Sequence, residues 1–160
     1  MAKKIAFYSV FTVFSLALAF LDSLIPFLHP GFKLGLANAV VLYLILNKKI
    51  RGAIIVNISR ILLSTLLFSS ITMLPYSLAG ALFSFLTMAF LNCFKCFSPI
   101  GLSAAGAVAH NIGQIIVALL FVPTKVFYFL PILILSGVIS GVLLGIIINE
   151  LYKRIKIKEG

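Results

Sequence analysis

The strongest constraint on this chain is the repetition of long apolar stretches between short polar breaks. A transmembrane helix needs roughly 20 mostly apolar residues, and about 17 to 25 are tolerated. The sequence divides into six such segments, near residues 5–28, 34–47, 52–70, 75–93, 99–122 and 127–151. Segments of this length, without the alternation of barrel strands, indicate helices. We therefore predict an all-α membrane protein, a single transmembrane domain over residues 1–160 that is built as a six-helix bundle. The second segment is short, which leaves open that it starts inside the membrane or belongs to a re-entrant loop.

The composition excludes a soluble domain. Only 10% of the residues are charged, whereas a soluble domain carries about 25%. The acidic residues are three: Asp22, Glu150 and Glu159. A water-exposed surface cannot be built from so few charges, so we expect a multi-pass protein of the cell (cytoplasmic) membrane.

The basic residues predict the orientation of the helices. Lys and Arg accumulate on the cytoplasmic side of a membrane. With six helices, ten of the thirteen basic residues fall on one side: Lys3, Lys4, Lys48, Lys49, Arg51, Lys95, Lys153, Arg154, Lys156 and Lys158. Lys33 and Lys125 fall on the other side, and Arg60 lies within the third segment. Both termini are thus expected in the cytoplasm. The charge also predicts contact with anionic membrane lipid and gives little support to a nucleic-acid partner.

Polar residues inside the apolar segments mark the candidate binding site, because they are costly in hydrocarbon and tend to face protein or water. In the fifth segment His110 and Gln114 share one helix face, with Asn111 at its edge. Arg60 shares a face with Asn57 and Ser64. We expect these stripes to converge on a common interior and to bind a substrate, through Lys33, Asn38, Arg60, His110, Asn111 and Gln114.

Two of these residues have structural alternatives. Arg60 could form an ion pair with Asp22, the only acid in the outer half of the bundle. It could also form an anion site with Lys33 and His29, and a ligand could displace the pair. His110 could make a hydrogen bond between helices, which is worth about 0.6 kcal/mol on average. Three polar residues within five positions exceed the needs of one such bond, which favours a ligand site.

Small residues and cysteines provide weaker signals. Gly137, Gly141 and Gly145 repeat every four residues, a pattern that lets helices approach closely, and we expect them to serve packing within the bundle. Cys93 and Cys96 form a single CxxC motif. A zinc site needs about four ligands, so we predict free thiols, no metal and no bound cofactor.

Several stretches resemble one family. They are PFLHPGFKLGLANAVVLYLIL (26–46), SRILLS (59–64), SPIGLSAAGAVAHNIGQIIVALL (98–120) and YFLPILILSGVISGVLLG (128–145). These resemble the Gx transporter family, also catalogued as heptaprenyl diphosphate synthase component I, which is similar to the substrate-binding S components of energy-coupling factor (ECF) transporters. The resemblance spans nearly the whole chain, and KLGLAN and GAVAHNIGQ are its most specific pieces.

The synthase in that description implies a catalytic site that the chain cannot provide. A chain-elongating prenyl synthase binds diphosphate through Mg²⁺ held by paired Asp-rich motifs, and Mg²⁺ prefers carboxylate oxygens. One Asp and two Glu, spread from position 22 to position 159, do not form such motifs. We therefore predict that the chain is not an enzyme.

The resemblance to S components implies a substrate-binding subunit for a small, vitamin-like solute, held beneath the loop HPGFKLG (29–35). Such subunits dock on a T component and two ATP-binding subunits, which use the ATP. Docking in the family uses an AxxxA motif in the first helix, where this chain has Ser15 and Ala19. Members are also associated with a membrane-anchored flavin-binding protein. The alternative is therefore a non-catalytic membrane partner in a flavin- or quinone-linked electron-transfer system, or in a prenyl-quinone system. The basic Lys33 and Arg60 favour an anionic solute.

Overall fold

The computed structural model describes residues 2–24, 35–121, 128 and 130–155. These residues form six α-helices and one short 3-10 helix, and the described part of the chain contains no strand. The helices are α1 (Ala2–Leu24), α2 (Leu36–Leu46), α3 (Ile50–Leu67), α4 (Leu74–Cys93), α5 (Pro99–Phe121) and α6 (Leu130–Arg154), and the 3-10 helix Ile71–Met73 precedes α4. The predicted all-helical architecture is confirmed.

The helices begin and end close to the predicted segments. The ends of α4 and α5 differ from the prediction by one residue at most, whereas α3 lies two to three residues earlier. At the basic termini the helices are three residues longer than predicted, because α1 already begins at Ala2 and α6 continues to Arg154. Lysine and arginine extend a membrane helix in this way because their aliphatic stems stay in apolar surroundings while the charges reach water. The predicted extension of α1 to residue 28 lies outside the described residues.

Helix α2 is too short to cross a bilayer. Its 11 residues measure about 16 Å, about half of a hydrocarbon core of roughly 30 Å. The other five helices are long and apolar enough to cross a membrane. The helix begins after Gly35, whose φ of 71° is left-handed and interrupts the helical backbone. The predicted six-helix bundle is thus confirmed, with five long helices and one short helix, and the short helix is the segment that the sequence also marks as short.

The short helix is also the centre of the bundle. Helix α2 contacts each of the other five helices, and every residue from Ala39 to Ile45 is buried. A helix that is apolar on all sides is stable only when it is surrounded. The main apolar cluster accordingly combines α2 with residues of α3 to α6, among them Val56, Met88, Leu102 and Ile148.

The remaining helices follow one another around α2. Helix α1 packs on α3, α3 on α4, α4 on α5, and α5 on α6. The α4–α5 and α5–α6 interfaces are the most extensive, because small residues let the backbones meet. A Cβ atom at position 113 would lie 2.7 Å from the carbonyl oxygen of Ala79 in α4. Helices α4, α5 and α6 thus form one closely packed layer.

Contacts at one end of the bundle fix the directions of the helices. Tyr8 of α1 contacts Gly52 at the start of α3. The Tyr43 hydroxyl of α2 donates a hydrogen bond to the carbonyl of Ile155, just after α6, at 2.7 Å. We call this end the basic end, because it carries eight of the described cationic residues: Lys3, Lys4, Lys48, Lys49, Arg51, Lys95, Lys153 and Arg154. Both ends of the described chain lie here.

The outer surface of the bundle is apolar. Large side chains such as Val13, Leu66, Leu120 and Ile147 are each at least 60% exposed. A contiguous apolar surface of this size would be unstable in water and matches lipid. Together with the five long helices, it makes the chain a multi-pass membrane protein.

Candidate functional site

Arg60 is the central residue of the candidate site. It lies in the second half of α3 and is half-buried. Its Nη2 donates a hydrogen bond to Oδ1 of Asn57, one turn earlier, at 2.8 Å. Its Nε atom is buried and has no hydrogen-bond partner within the part of the chain that the structure describes. The guanidinium is therefore held in place on one side and keeps an unused donor on another.

Asp22 connects Arg60 to two other helices. This residue, near the end of α1, is only 7% exposed. Its Oδ2 accepts a hydrogen bond from the backbone N–H of Gly35, just before α2, at 2.9 Å. The carboxylate also lies within electrostatic range of Arg60. The carboxylate thus binds the backbone at the N-terminus of α2, where the helix dipole favours an anion. Its negative charge also compensates the positive charge of Arg60.

Asn38 completes this group at the start of α2. Its backbone N–H donates to the Gly35 carbonyl at 2.8 Å, and its half-buried side chain lies against Gly35. We name Asp22, Gly35, Asn38, Asn57 and Arg60 the Arg60 cluster. The cluster lies at the N-terminal end of α2, the end that faces away from the basic end. Beyond this end, α2 no longer occupies the centre of the bundle.

His110, in the middle of α5, packs against α4. A Cβ atom at position 80 would be 2.8 Å from both Cε1 and Nε2 of the imidazole. The ring therefore packs directly on Gly80 of α4, and a larger residue at position 80 would displace it. The missing side chain of Gly80 is what admits a histidine into this tight interface.

Asn111, the next residue, faces α6. It is 8% exposed, and its Nδ2 donates a hydrogen bond to the carbonyl of Leu133 at 2.6 Å. The same nitrogen lies 2.9 Å from where a Cβ of Gly137 would be. Asn111 thus makes an interhelical bond of the kind that stabilises membrane helices. Gln114 is half-buried.

The polar residues lie on helices that do not all pack on one another. Helices α3 and α5 do not contact each other directly, whereas each of them contacts α2 and α4. His110 and Asn111 also point to different helices. The structure brings Asn38 and Arg60 together through Gly35 and Asp22, and Lys33 lies outside the described residues.

The small residues are placed inside the bundle. Ser15 is fully buried, and its hydroxyl donates to the Ala37 carbonyl at 3.3 Å, while Ala19 is half-buried. Ser15 is therefore not accessible to a partner in this conformation. Gly141 and Gly145 lie against the α5 backbone. A Cβ atom added at position 141 would lie 2.6 Å from the Cα of Ala104, and one added at position 145 would lie 2.6 Å from the Cα of Ile100. The glycine stripe thus lies in the α5–α6 interface.

The cysteines are both exposed free thiols at the basic end. The described residues hold no cluster of three or more His, Cys, Asp or Glu that could bind a metal.

The link between Asp22 and Gly35 is the contact of the candidate site that sequence reasoning missed. The sequence contained one signal, since a glycine at the start of an apolar segment is suited to a left-handed backbone. Asp22 lies near the end of α1, so its contact with the residue before α2 depends on the tertiary fold.

A comparison with protein families now places the chain. The model of the family described as heptaprenyl diphosphate synthase component I matches residues 11–151. The chain belongs to this family. The match includes α2 to α5 entirely, together with most of α1 and α6. It confirms the resemblance to the Gx transporter family. The chain matches no curated protein and no solved structure.

Proposed function

We propose that this member of the component I family is the substrate-binding membrane subunit of an ECF-type uptake transporter for a small anionic solute. The observation that carries the proposal is the placement of Arg60. A cation in a membrane-spanning helix is costly and is retained mainly for function. Arg60 keeps a buried Nε donor without a partner in the described chain, and the Asp22 carboxylate near it is already engaged by Gly35.

The chemistry of the guanidinium favours a carboxylate or phosphate group. Arginine offers five N–H donors in a planar fork that matches two oxygens at once. The bond from Arg60 to Asn57 fixes the plane of the fork, which lowers the entropy lost on binding. Asp22 compensates the charge when no solute is present. The ion-pair and the anion-site interpretations of Arg60 are thus two states of one site.

The Arg60 cluster lies away from the basic end, which supports entry of the solute from the opposite face of the membrane. We propose Lys33, which lies outside the described residues, as a further cationic contact of the solute. We propose His110, in the middle of α5, and Gln114, one turn further on, as further contacts, with Asn111 holding α5 to α6. A T component and two ATP-binding subunits would use ATP to drive release to the cytoplasm, so the chain itself needs neither cofactor nor catalytic residues.

The partners are the most direct test. The protein would be purified in mild detergent from its native membrane, and the retained proteins identified by mass spectrometry. Recovery of a T component with two ATP-binding subunits supports the transporter. Recovery of a flavoprotein without an ATPase would contradict it.

A second experiment tests the site itself. Small molecules released by denaturing the purified protein would be compared by mass spectrometry between the wild type and Arg60→Gln. We expect an anionic compound to be enriched in the wild type and lost in Arg60→Gln. Ser64→Ala is the matched control, since Ser64 lies one turn further on and bonds only its own helix, at the Ile61 carbonyl. Equal recovery from all three proteins would refute the site.

The family description favours a second candidate. A protein described as a component of a prenyl diphosphate synthase would also fit a non-catalytic membrane partner in prenyl-quinone or flavin-linked electron transfer. An apolar quinone would not require Arg60, so loss of an anionic compound in Arg60→Gln separates the two candidates.

A further inference from the structure

Two lysines at the basic end have strained backbones. Lys48 has a φ of 57° and Lys95 a φ of 53°, and they are the non-glycine residues with positive φ in the described chain. They occupy equivalent positions, because each follows the residue that ends a helix: Asn47 after α2 and Phe94 after α4. Glycine is the usual residue at this position, since a side chain there is disfavoured.

The local fold requires the left-handed backbone but not the lysine. The N–H groups of Lys48 and Lys49 donate to the Ile45 and Leu44 carbonyls, each at 2.9 Å, and so complete the end of α2. Glycine would make the same bonds without strain. The preference for positive charge on one side of a membrane does not explain the position either, because a lysine elsewhere in the turn would satisfy it. A strained residue that recurs in two turns points to a function of its side chain.

The two turns lie at the same end of the bundle and carry uncompensated charge. Helix α2 contacts α4, and Leu46 and Leu91, near the ends of these helices, both pack on the apolar cluster around α2. Lys48 and Lys95 are both exposed. Among the described residues of the basic end the one acid is Glu150, and it already pairs with Arg154 at 2.8 Å.

Exposed aromatic rings flank the second lysine. Phe94 is 57% exposed and Phe97 44% exposed, on either side of Lys95. Apolar rings beside cations suit the boundary of a bilayer, where the rings meet acyl chains and the cations meet headgroups. The same arrangement would be unfavourable on a surface that faces water alone.

We propose that the α2–α3 and α4–α5 turns form a binding site for an anionic phospholipid. Lys48 and Lys95 bind the phosphate of the headgroup, while Phe94 and Phe97 contact the adjoining glycerol and acyl carbons. The left-handed residues fix the start of both lysine side chains, so the site is organised before the lipid binds.

The test compares lipids on the purified full chain in detergent. Dioleoyl phosphatidylglycerol or dioleoyl phosphatidylcholine would be added, and the bound lipid measured by native mass spectrometry. We expect the wild type to prefer the anionic lipid, and the double variant Lys48→Gly/Lys95→Gly to lose roughly fivefold in affinity per lysine, the contribution of a basic residue at a membrane surface. The variant should fold normally, because glycine suits both positions.

The matched control removes the same charge from unstrained residues. Arg51 and Lys153 are exposed and lie in helices at the same end, so Arg51→Gln/Lys153→Gln should keep most of the preference. If both double variants lost affinity for the anionic lipid equally, the binding would reflect the general positive charge of this end, and the proposal would be wrong. It would also be wrong if the wild type did not prefer the anionic lipid. Competition by soluble glycerol phosphate at the same concentration would overturn the assignment to lipid.

Discussion

The Asp22 carboxylate accepts a hydrogen bond from the backbone N–H of Gly35 at 2.9 Å. The partners are thirteen positions apart in the sequence, so this one bond ties the end of α1 to the start of α2. Because Asp22 also acts on Arg60, it couples three helices at the end of the bundle where α2 stops.

Replacing Asp22 should therefore destabilise the fold. Asp22→Leu removes the acceptor for the Gly35 N–H and leaves Arg60 without its nearby charge, so we expect a loss of about 1.5–3 kcal/mol in the free energy of unfolding. Asp22→Asn keeps an acceptor oxygen and should lose less. Unfolding in mixed detergent with increasing dodecyl sulfate measures both values.

Ser23→Ala is the control for this series. Ser23 is exposed, and its hydroxyl bonds only to the Phe20 carbonyl within α1. Its replacement should change stability very little. If Asp22→Leu were no more destabilising than Ser23→Ala, the proposed coupling of three helices would be wrong.

Most of the fold could be predicted from run length and charge, including the shortness of the second segment, whereas the exact start of α2 could not. Residues 34–47 are mostly apolar, and apolar composition does not reveal where a backbone turns left-handed. The left-handed Gly35 immediately precedes the first residue of α2, Leu36. The sequence also could not tell whether α2 faces other helices or lipid, because both surroundings favour apolar residues.

The glycines of α6 allow a steric prediction. A Cβ atom at position 141 would lie 2.6 Å from the Ala104 Cα and 2.9 Å from the Ser103 carbonyl oxygen. Backbone atoms cannot yield as a flexible side chain does, so Gly141→Ala should force α5 and α6 apart and lose about 1–3 kcal/mol of stability. The same detergent unfolding assay measures this loss.

Gly101 provides the matched control for Gly141. A Cβ atom there would meet its nearest neighbour, Ser98 Oγ, at 3.7 Å, an ordinary contact. Gly101→Ala should be neutral or stabilising by up to about 1 kcal/mol, because alanine favours the helix. Similar losses in both variants would mean that close packing of α5 on α6 does not contribute to stability.

The interhelical bond of Asn111 should contribute only modestly. Asn111→Leu removes the donor to the Leu133 carbonyl, but that carbonyl also accepts from the Ser136 hydroxyl at 3.0 Å. We expect a loss near the average of about 0.6 kcal/mol for such bonds in membranes. A loss above 2 kcal/mol on the same assay would show that the bond organises the whole α5–α6 interface.

The polar residues of α5 illustrate what periodicity cannot resolve. Spacing of three and four places residues on one helix face, yet adjacent residues differ by about 100° around the axis. His110 consequently meets Gly80 of α4, while Asn111 meets Leu133 of α6. Spacing identified polar residues that face protein. It could not assign the neighbouring helix, because that depends on packing between distant parts of the chain.

The native cysteines offer a test of orientation. Cys93 and Cys96 are exposed at the basic end, which the charge distribution predicts to be cytoplasmic. A membrane-impermeant maleimide added to intact cells should therefore leave the wild type unlabelled, and labelling should appear only after permeabilisation. Ser70 is exposed at the opposite end, just before the 3-10 helix. In a Cys93→Ser/Cys96→Ser background, Ser70→Cys should react in intact cells. The reverse pattern would invert the orientation, and with it the face from which the proposed solute enters.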